Sequence, residues 1–230
     1  PPGSQVKPRV PILVVDRPGT TRVDPGPDLT SKALEVTNIV TLPASPLVQE
    51  FIDAAGKKVH YDNERVVATD GRNDPNLAAY DKNRDRCLTS RSASSLPTYY
   101  PLRGGVASAA EACYKGGYIP EGTAAKFTPR GYRSGNGMAR GHLIANTLGG
   151  SGTDPRNIVA IYQNRVNSSA MWHGTEQVVR SWVQSGETVY YRVQPEFRNN
   201  DPRGYPVPTF INIVVASKRG SVYIRIENKR

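Results

Sequence analysis

Gly135-Asn136-Gly137-Met138-Ala139-Arg140-Gly141-His142-Leu143-Ile144-Ala145 is followed by Gly149-Gly150, by Asp154-Pro155-Arg156-Asn157-Ile158-Val159-Ala160-Ile161-Tyr162, and then by Asn164, Asn167 and Glu176. A glycine-interrupted loop over 131–137 leads into a stretch that delivers His142 from a strand end or turn. The apolar run from Asn157 to Tyr162 precedes a helical stretch that reaches about Val183 and stops at Gln184-Ser185-Gly186. Downstream, Thr188–Pro195 and Phe210–Ser217 read as strands, with Ser221–Ile226 adding a third. Upstream, Ala124–Thr128 reads as a strand and the alanine-rich Val106–Tyr114 as a short helix ending at Gly116-Gly117. Helix and strand stay segregated with no βαβ alternation, so an α+β architecture is expected.

Prolines 1, 2, 8, 11, 18, 25, 27, 43 and 46 punctuate the beginning of the chain, where only Val10–Val15 offers an edge strand. An extended Pro-rich arm or linker over 1–46 is expected, followed by one domain over 47–230 whose motif core is 131–217. Lys57–Tyr61 and Arg65–Ala68 read as a hairpin around Asp62-Asn63, with His60 on its solvated side. Asp70–Asp85 reads as polar turn; Asp81 and Asp85 lack the spacing of a calcium loop.

The net charge of +10 is uneven. Residues 1–120 carry 15 Lys/Arg against 13 Asp/Glu, whereas 121–230 carry 15 against 7, so the half with the motif holds +8 of the excess. Such a one-sided field favours a polyanionic partner, nucleic acid before others. No apolar run approaches the roughly 18 residues of a membrane span, and no membrane partner is expected. Cys87 and Cys113 match no zinc spacing; a disulfide between them is expected and, with the composition, points to an exported protein.

Phosphodiester hydrolysis needs a base for water, a cation to neutralise charge growing at phosphorus, and groups that position the phosphate. His142 titrates near neutrality, and Arg140 is a permanent bidentate phosphate donor. Gly141 between them permits a crowded backbone. Asn167 or Asn164 supplies a neutral oxygen suited to a well-hydrated magnesium ion, and Glu176 can hold one of its waters. Arg130 and Arg133, just ahead of the motif, are further phosphate contacts. Trp172 and Trp182 read as core anchors and His173 as a surface helix residue.

Ala139–Ala145 with Gly149-Gly150, Asn157-Ile158-Val159, Asn167 and Glu176 resembles the DNA/RNA non-specific endonuclease family of ββα-metal, or His-Me finger, nucleases. The resemblance covers roughly 135–217 and implies a ββα-metal core: an antiparallel sheet with a helix that carries the metal ligand. By residue, it implies His142 as general base, Arg140 as phosphate contact, Asn167 as direct ligand of hydrated Mg2+ with Mn2+ or Ca2+ as alternatives, and Glu176 as anchor of a metal-bound water. Asn157 would tie the loop to the site. DNA and RNA are then the substrates, and a secreted bacterial nuclease or toxin domain, with an acidic immunity or inhibitor protein as partner, is the implied setting. A catalytically decayed nucleic-acid-binding module is the alternative, because Ala139 stands where the family's motif begins with an acid. The spacing also departs: nine residues separate Asn167 from Glu176 and turn a regular α-helix by about 900°, onto opposite faces. A π-bulge at Gly174, a helix starting after Asn167, or Asn164 as the ligand would each resolve this; Asn167 ranks first.

Overall fold

The computed structural model describes residues 12–17, 20–24, 46–47, 49–51, 66–69, 81–91 and 96–230. Its elements are β1 (Ile12–Arg17), β2 (Thr20–Asp24), β3 (Val66–Thr69), α1 (Asp81–Thr89), β4 (Thr98–Tyr99), β5 (Ala110–Tyr114), β6 (Met138–His142), β7 (Ile158–Tyr162), α2, β8 (Val189–Glu196), β9 (Phe210–Ser217) and β10 (Gly220–Glu227). Helix α2 is wound as a π-helix over Gln163–Glu176 and continues as regular α-helix over Gln177–Gln184. Eight strands form one sheet in the order β2-β1-β3-β10-β9-β8-β5-β4, with every neighbouring pair antiparallel, and β6-β7 form a separate antiparallel hairpin. The fold is α+β, as expected.

The closing strands alternate with period two, which sorts their side chains onto two faces. Register places Val193 opposite Ile213 and Ile213 opposite Ile224, with Tyr191, Val215 and Val222 in the next row. This row faces the main core, where Val166, Ala170, Met171, Val179, Trp182 and Val183 of α2 and Ala139, Val159 and Ile161 of the hairpin pack against it. Tyr190, Val214, Ala216 and Tyr223 point to the other face and meet Cys87 of α1. The sheet is thus covered by α1 on one side and by the hairpin and α2 on the other. Trp182 is a core anchor: Phe51 meets its ring edge-on at 5.2 Å, and its indole N–H donates to Glu50 Oε1 at 2.6 Å.

Three local expectations differ from the structure. Residues 110–114 form β5 rather than the end of a helix. Their pattern Ala-Glu-Ala-Cys-Tyr alternates in burial, and pairing with β4 and β8 overrides the helix preference of alanine. Glu111, on the outward row, accepts from Arg192 Nη1 at 2.9 Å, Tyr190 Oη at 2.7 Å and Asn83 Nδ2 at 2.8 Å. Residues 124–128 are not a strand, because their backbone is used against a glycine loop: Lys126 N–H and Phe127 N–H both donate to Gly152 O. Asp81–Asp85 opens α1 instead of a polar turn. Strand β3 pairs with β1 and β10; β1 is not the expected edge strand, because it pairs with β2 on one side and β3 on the other, so residues 12–17 and 20–24 join the main sheet instead of forming an extended arm. Residues 57–61, the Asp62-Asn63 turn, His60 and 70–80 lie outside the described residues, as does most of 1–46.

Cys87 and Cys113 form the expected disulfide, with their Cα atoms 5.6 Å apart, and tie α1 to β5. Closing a loop of this length restricts the unfolded chain by about 3 kcal/mol in the chain-entropy model. Urea unfolding with and without reductant is expected to show a loss of that size on reduction; equal midpoints would contradict it.

Candidate active site

Strand β6 alternates as a half-buried Met138, buried Ala139, exposed Arg140, buried Gly141 and half-buried His142. Ala139 and Gly141 therefore turn inward, and Ala139 is a core residue at the position where the motif of the resembled family begins with an acid. The Gly141 backbone is pressed against β7: a side-chain carbon there would overlap Ile161 and lie 3.5 Å from Asn167 Oδ1. The absent side chain is what lets the Asn167 amide approach the strand that ends at His142. Arg140, on the outward side, donates from Nη1 to Lys126 O at 3.3 Å and is otherwise open to solvent.

Among the described residues, the His142 ring is held by one bond. Its Nε2–H donates to Thr123 O at 2.9 Å. That leaves Nδ1 as the unprotonated nitrogen of the neutral ring, the atom able to accept a proton. Thr123 is itself fixed, its N–H donating to Gly150 O at 3.0 Å and its Oγ1 accepting from Gly152 N–H at 2.8 Å. The 144–152 loop that supplies these partners is anchored by Asn157, which has no solvent exposure. Asn157 Oδ1 accepts from Ile144 N–H at 2.8 Å, and its Nδ2 donates to Ile144 O at 3.0 Å and Ser151 O at 2.9 Å.

The π-winding of α2 resolves the spacing between Asn167 and Glu176. It runs through all 14 residues of Gln163–Glu176 rather than bulging at Gly174 alone, and Gln177 N–H reaches back five residues to Trp172 O. A π-helix closes i→i+5 bonds and takes up more than four residues per turn, so nine residues complete about two turns and return to the same face. Gln163 Oε1 accepts from Asn167 Nδ2 at 3.2 Å, which turns the amide oxygen away from Gln163 and toward Gly141. Asn164 is exposed on the first turn. His173 is half-buried beside Trp172, with a buried Nδ1 that has no partner among the described residues.

Glu176 is 6% exposed and has no hydrogen-bond or ion-pair partner among the described residues. Desolvation pushes its carboxyl up to about 8. Its charge in turn adds to the burial that raises the hydroxyls of Tyr114 and Tyr191. Tyr114 donates to Leu148 O at 2.7 Å, in the turn after His142, whereas Tyr191 Oη is buried without a partner among the described residues. A carboxyl buried in this way stays protonated near neutral pH, and a cation or a cation-bound water is what would favour its charged form. No cluster of three or more His, Cys, Asp or Glu suited to a metal occurs among the described residues. One amide oxygen and one carboxylate, both hard donors, fit an ion that keeps most of its own waters.

The structure thus gathers His142, Asn167 and Asn157 on the hairpin and the facing turns of α2, with Glu176 two turns further along the same helix. Arg130 and Arg133 stand apart in the preceding loop. Arg133 is exposed, and Arg130 donates to Gly104 O and, at 3.3 Å, to Arg203 O. Two positioning groups have no motif to announce them. Thr123 acts through its carbonyl, which any residue could supply, while Gln163 is visible only as the amide four positions before Asn167.

Residues 121–215 match the family described as DNA/RNA non-specific endonuclease. Among solved structures, metal-free NucA from Streptococcus agalactiae is similar at 19% identity and a TM-score of 0.54, covering 79% of this chain and 90% of that one. NucA from the same organism with a magnesium ion bound is similar at 21% identity and a TM-score of 0.51, covering 60% and 73%. Both share the fold. No curated protein matches the chain.

Burial lowers the pKa of His142 from the ordinary 6.5, outweighing the opposing bond to Thr123. The ring therefore stays neutral to lower pH than a free imidazole does. Because the folded value lies below the unfolded one, this group's contribution to stability is intact above 6.5 and is lost as pH falls through the folded value. An NMR titration of His142 Cε1–H is expected to give a midpoint below 6.5; a midpoint above it would contradict the burial.

Proposed function

We propose, from the match of residues 121–215 to the DNA/RNA non-specific endonuclease family, that the chain is a metal-dependent endonuclease that hydrolyses phosphodiester bonds of DNA and RNA with little sequence preference. The observation that carries this reading is the His142 ring, fixed through Nε2–H to Thr123 O with Nδ1 left to act, on a hairpin that Asn167 approaches across Gly141.

His142 Nδ1 takes a proton from the attacking water as its oxygen bonds to phosphorus; the opposite P–O bond breaks, and the leaving oxygen gains a proton from solvent. Asn167 Oδ1 is the residue that would bind the metal directly, with Glu176 holding one of the metal's waters and Asn164 the second choice for ligand. When bound, hydrated Mg2+, or Mn2+ or Ca2+ in its place, would neutralise charge developing on the phosphate oxygens. Arg140 grips the phosphate next to the bond that breaks. Arg133 adds a second contact, and Arg130 keeps three of its five N–H donors after the bonds to Gly104 O and Arg203 O. Contacts confined to the backbone carry no sequence information and weaken steeply with salt.

The catalytic roles fall within the expected 47–230 domain. The Cys87–Cys113 disulfide supports work in an oxidising compartment, as a secreted bacterial nuclease or toxin domain, and an excess of positive charge makes a small acidic protein the matching inhibitor. The second reading, a decayed binding module, draws on Ala139, whose side chain serves packing and offers no acid.

Plasmid digestion separates the two. The parent is expected to cut in Mg2+ and stop in EDTA, and His142→Ala to cut roughly 10²- to 10⁴-fold more slowly. Digestion by the variant at the parent's rate would remove His142 from the mechanism, and salt-sensitive binding without any metal-dependent cutting would favour the decayed module.

A further inference from the structure

Four large hydrophobic side chains are exposed among the described residues, Leu96, Leu102, Tyr118 and Tyr205, and only Tyr205 lies within the family-matched segment. It sits in loop 197–209 between β8 and β9. Tyr205 is 48% exposed, and the guanidinium of Arg198 lies over its ring at 5.2 Å from the centroid, so a cation backs one face of a ring that is half open to solvent. Arg198 and Arg203 are both exposed. The loop's one carboxylate, Asp201, is exposed and engaged locally, its Oδ1 accepting Arg203 N–H at 3.0 Å.

The loop is held at several points. Phe197 and Pro202 are buried, and Thr209 N–H donates to Glu196 O at 2.7 Å. Asn199 takes a left-handed turn at φ 53°, a conformation that asparagine tolerates. Arg130 donates to Arg203 O, fastening the loop to the chain that enters β6. On its other side, Asn228 Nδ2 donates to Pro208 O at 2.8 Å and Ala160 O at 3.4 Å, and Ala160 is the register partner of Arg140. An aromatic ring and two arginines are thereby fixed beside the hairpin that carries Arg140 and His142.

We propose that Tyr205, backed by Arg198, is a base-stacking subsite that selects single-stranded nucleic acid or unpaired stretches, with Arg198 and Arg203 taking the flanking phosphates. This rests on the nuclease reading for its place beside the cleaving groups. Every base has a π-face, so stacking adds affinity without sequence preference, but a base inside a duplex cannot present that face. A platform already ordered before binding loses little entropy when a nucleotide lands on it.

The test uses the full chain in EDTA, with fluorescence anisotropy of a labelled oligothymidylate and of a duplex of equal length. Tyr205→Ala is expected to weaken single-strand binding roughly 5- to 150-fold and duplex binding much less, while Tyr205→Phe, which keeps the ring, retains single-strand binding within about twofold. Unchanged single-strand binding by Tyr205→Ala, an equal loss on both substrates, or a loss by Tyr205→Phe as large as that by Tyr205→Ala would overturn the subsite. Metal-free binding does not depend on cutting, so a failure of the plasmid digestion leaves this comparison intact.

Discussion

A single buried amide sets the geometry of the site. Asn157 bonds to both backbone groups of Ile144 and to Ser151 O, closing the 144–157 loop from inside without any contact with water. The loop's glycines then meet Thr123 at fixed positions, and Thr123 O in turn aims the His142 ring. A side chain on Gly150 would overlap the Ile144 carbonyl, so the loop closes this tightly only with glycine at that position. Each bond in the series is an ordinary one; what matters is that an unpaired buried amide costs more than a bond gains, so no member can drift alone.

The same economy governs α2. Regular α-winding would send Asn167 and Glu176 to opposite faces, whereas π-winding gives up standard hydrogen-bond geometry to bring them to one. π-Helical segments of this kind recur at functional sites, where local strain is held by surrounding packing. Here that packing is the contact of Val166, Ala170 and Met171 with the main core. Glu176 is left buried at the end of the π segment with no partner among the described residues, a setting in which a cation or its water would favour the charged carboxylate.

Much of this is legible in the sequence. The motif over 139–145, Asn157 and the period-two strands after residue 188 announce the hairpin, its anchor and the sheet, because each is written in side chains with local spacing. The conflict at nine residues between Asn167 and Glu176 even points to a non-α winding before its extent is known. Tertiary pairing is harder to see. The alanines of 110–114 favour a helix, and only the neighbours β4 and β8, distant in sequence, make that segment a strand. Likewise Thr123 works through a backbone carbonyl, which leaves no trace in residue type, and Tyr205 becomes a platform only when Arg198 folds over it.

The central claim is that the fold holds His142 with Nδ1 free to take a proton. ¹⁵N-detected histidine NMR at pH 8 reports which ring nitrogen carries hydrogen. The account requires the Nε2–H tautomer for His142. A ring protonated on Nδ1 instead would leave no base at the atom the geometry assigns, and would contradict it.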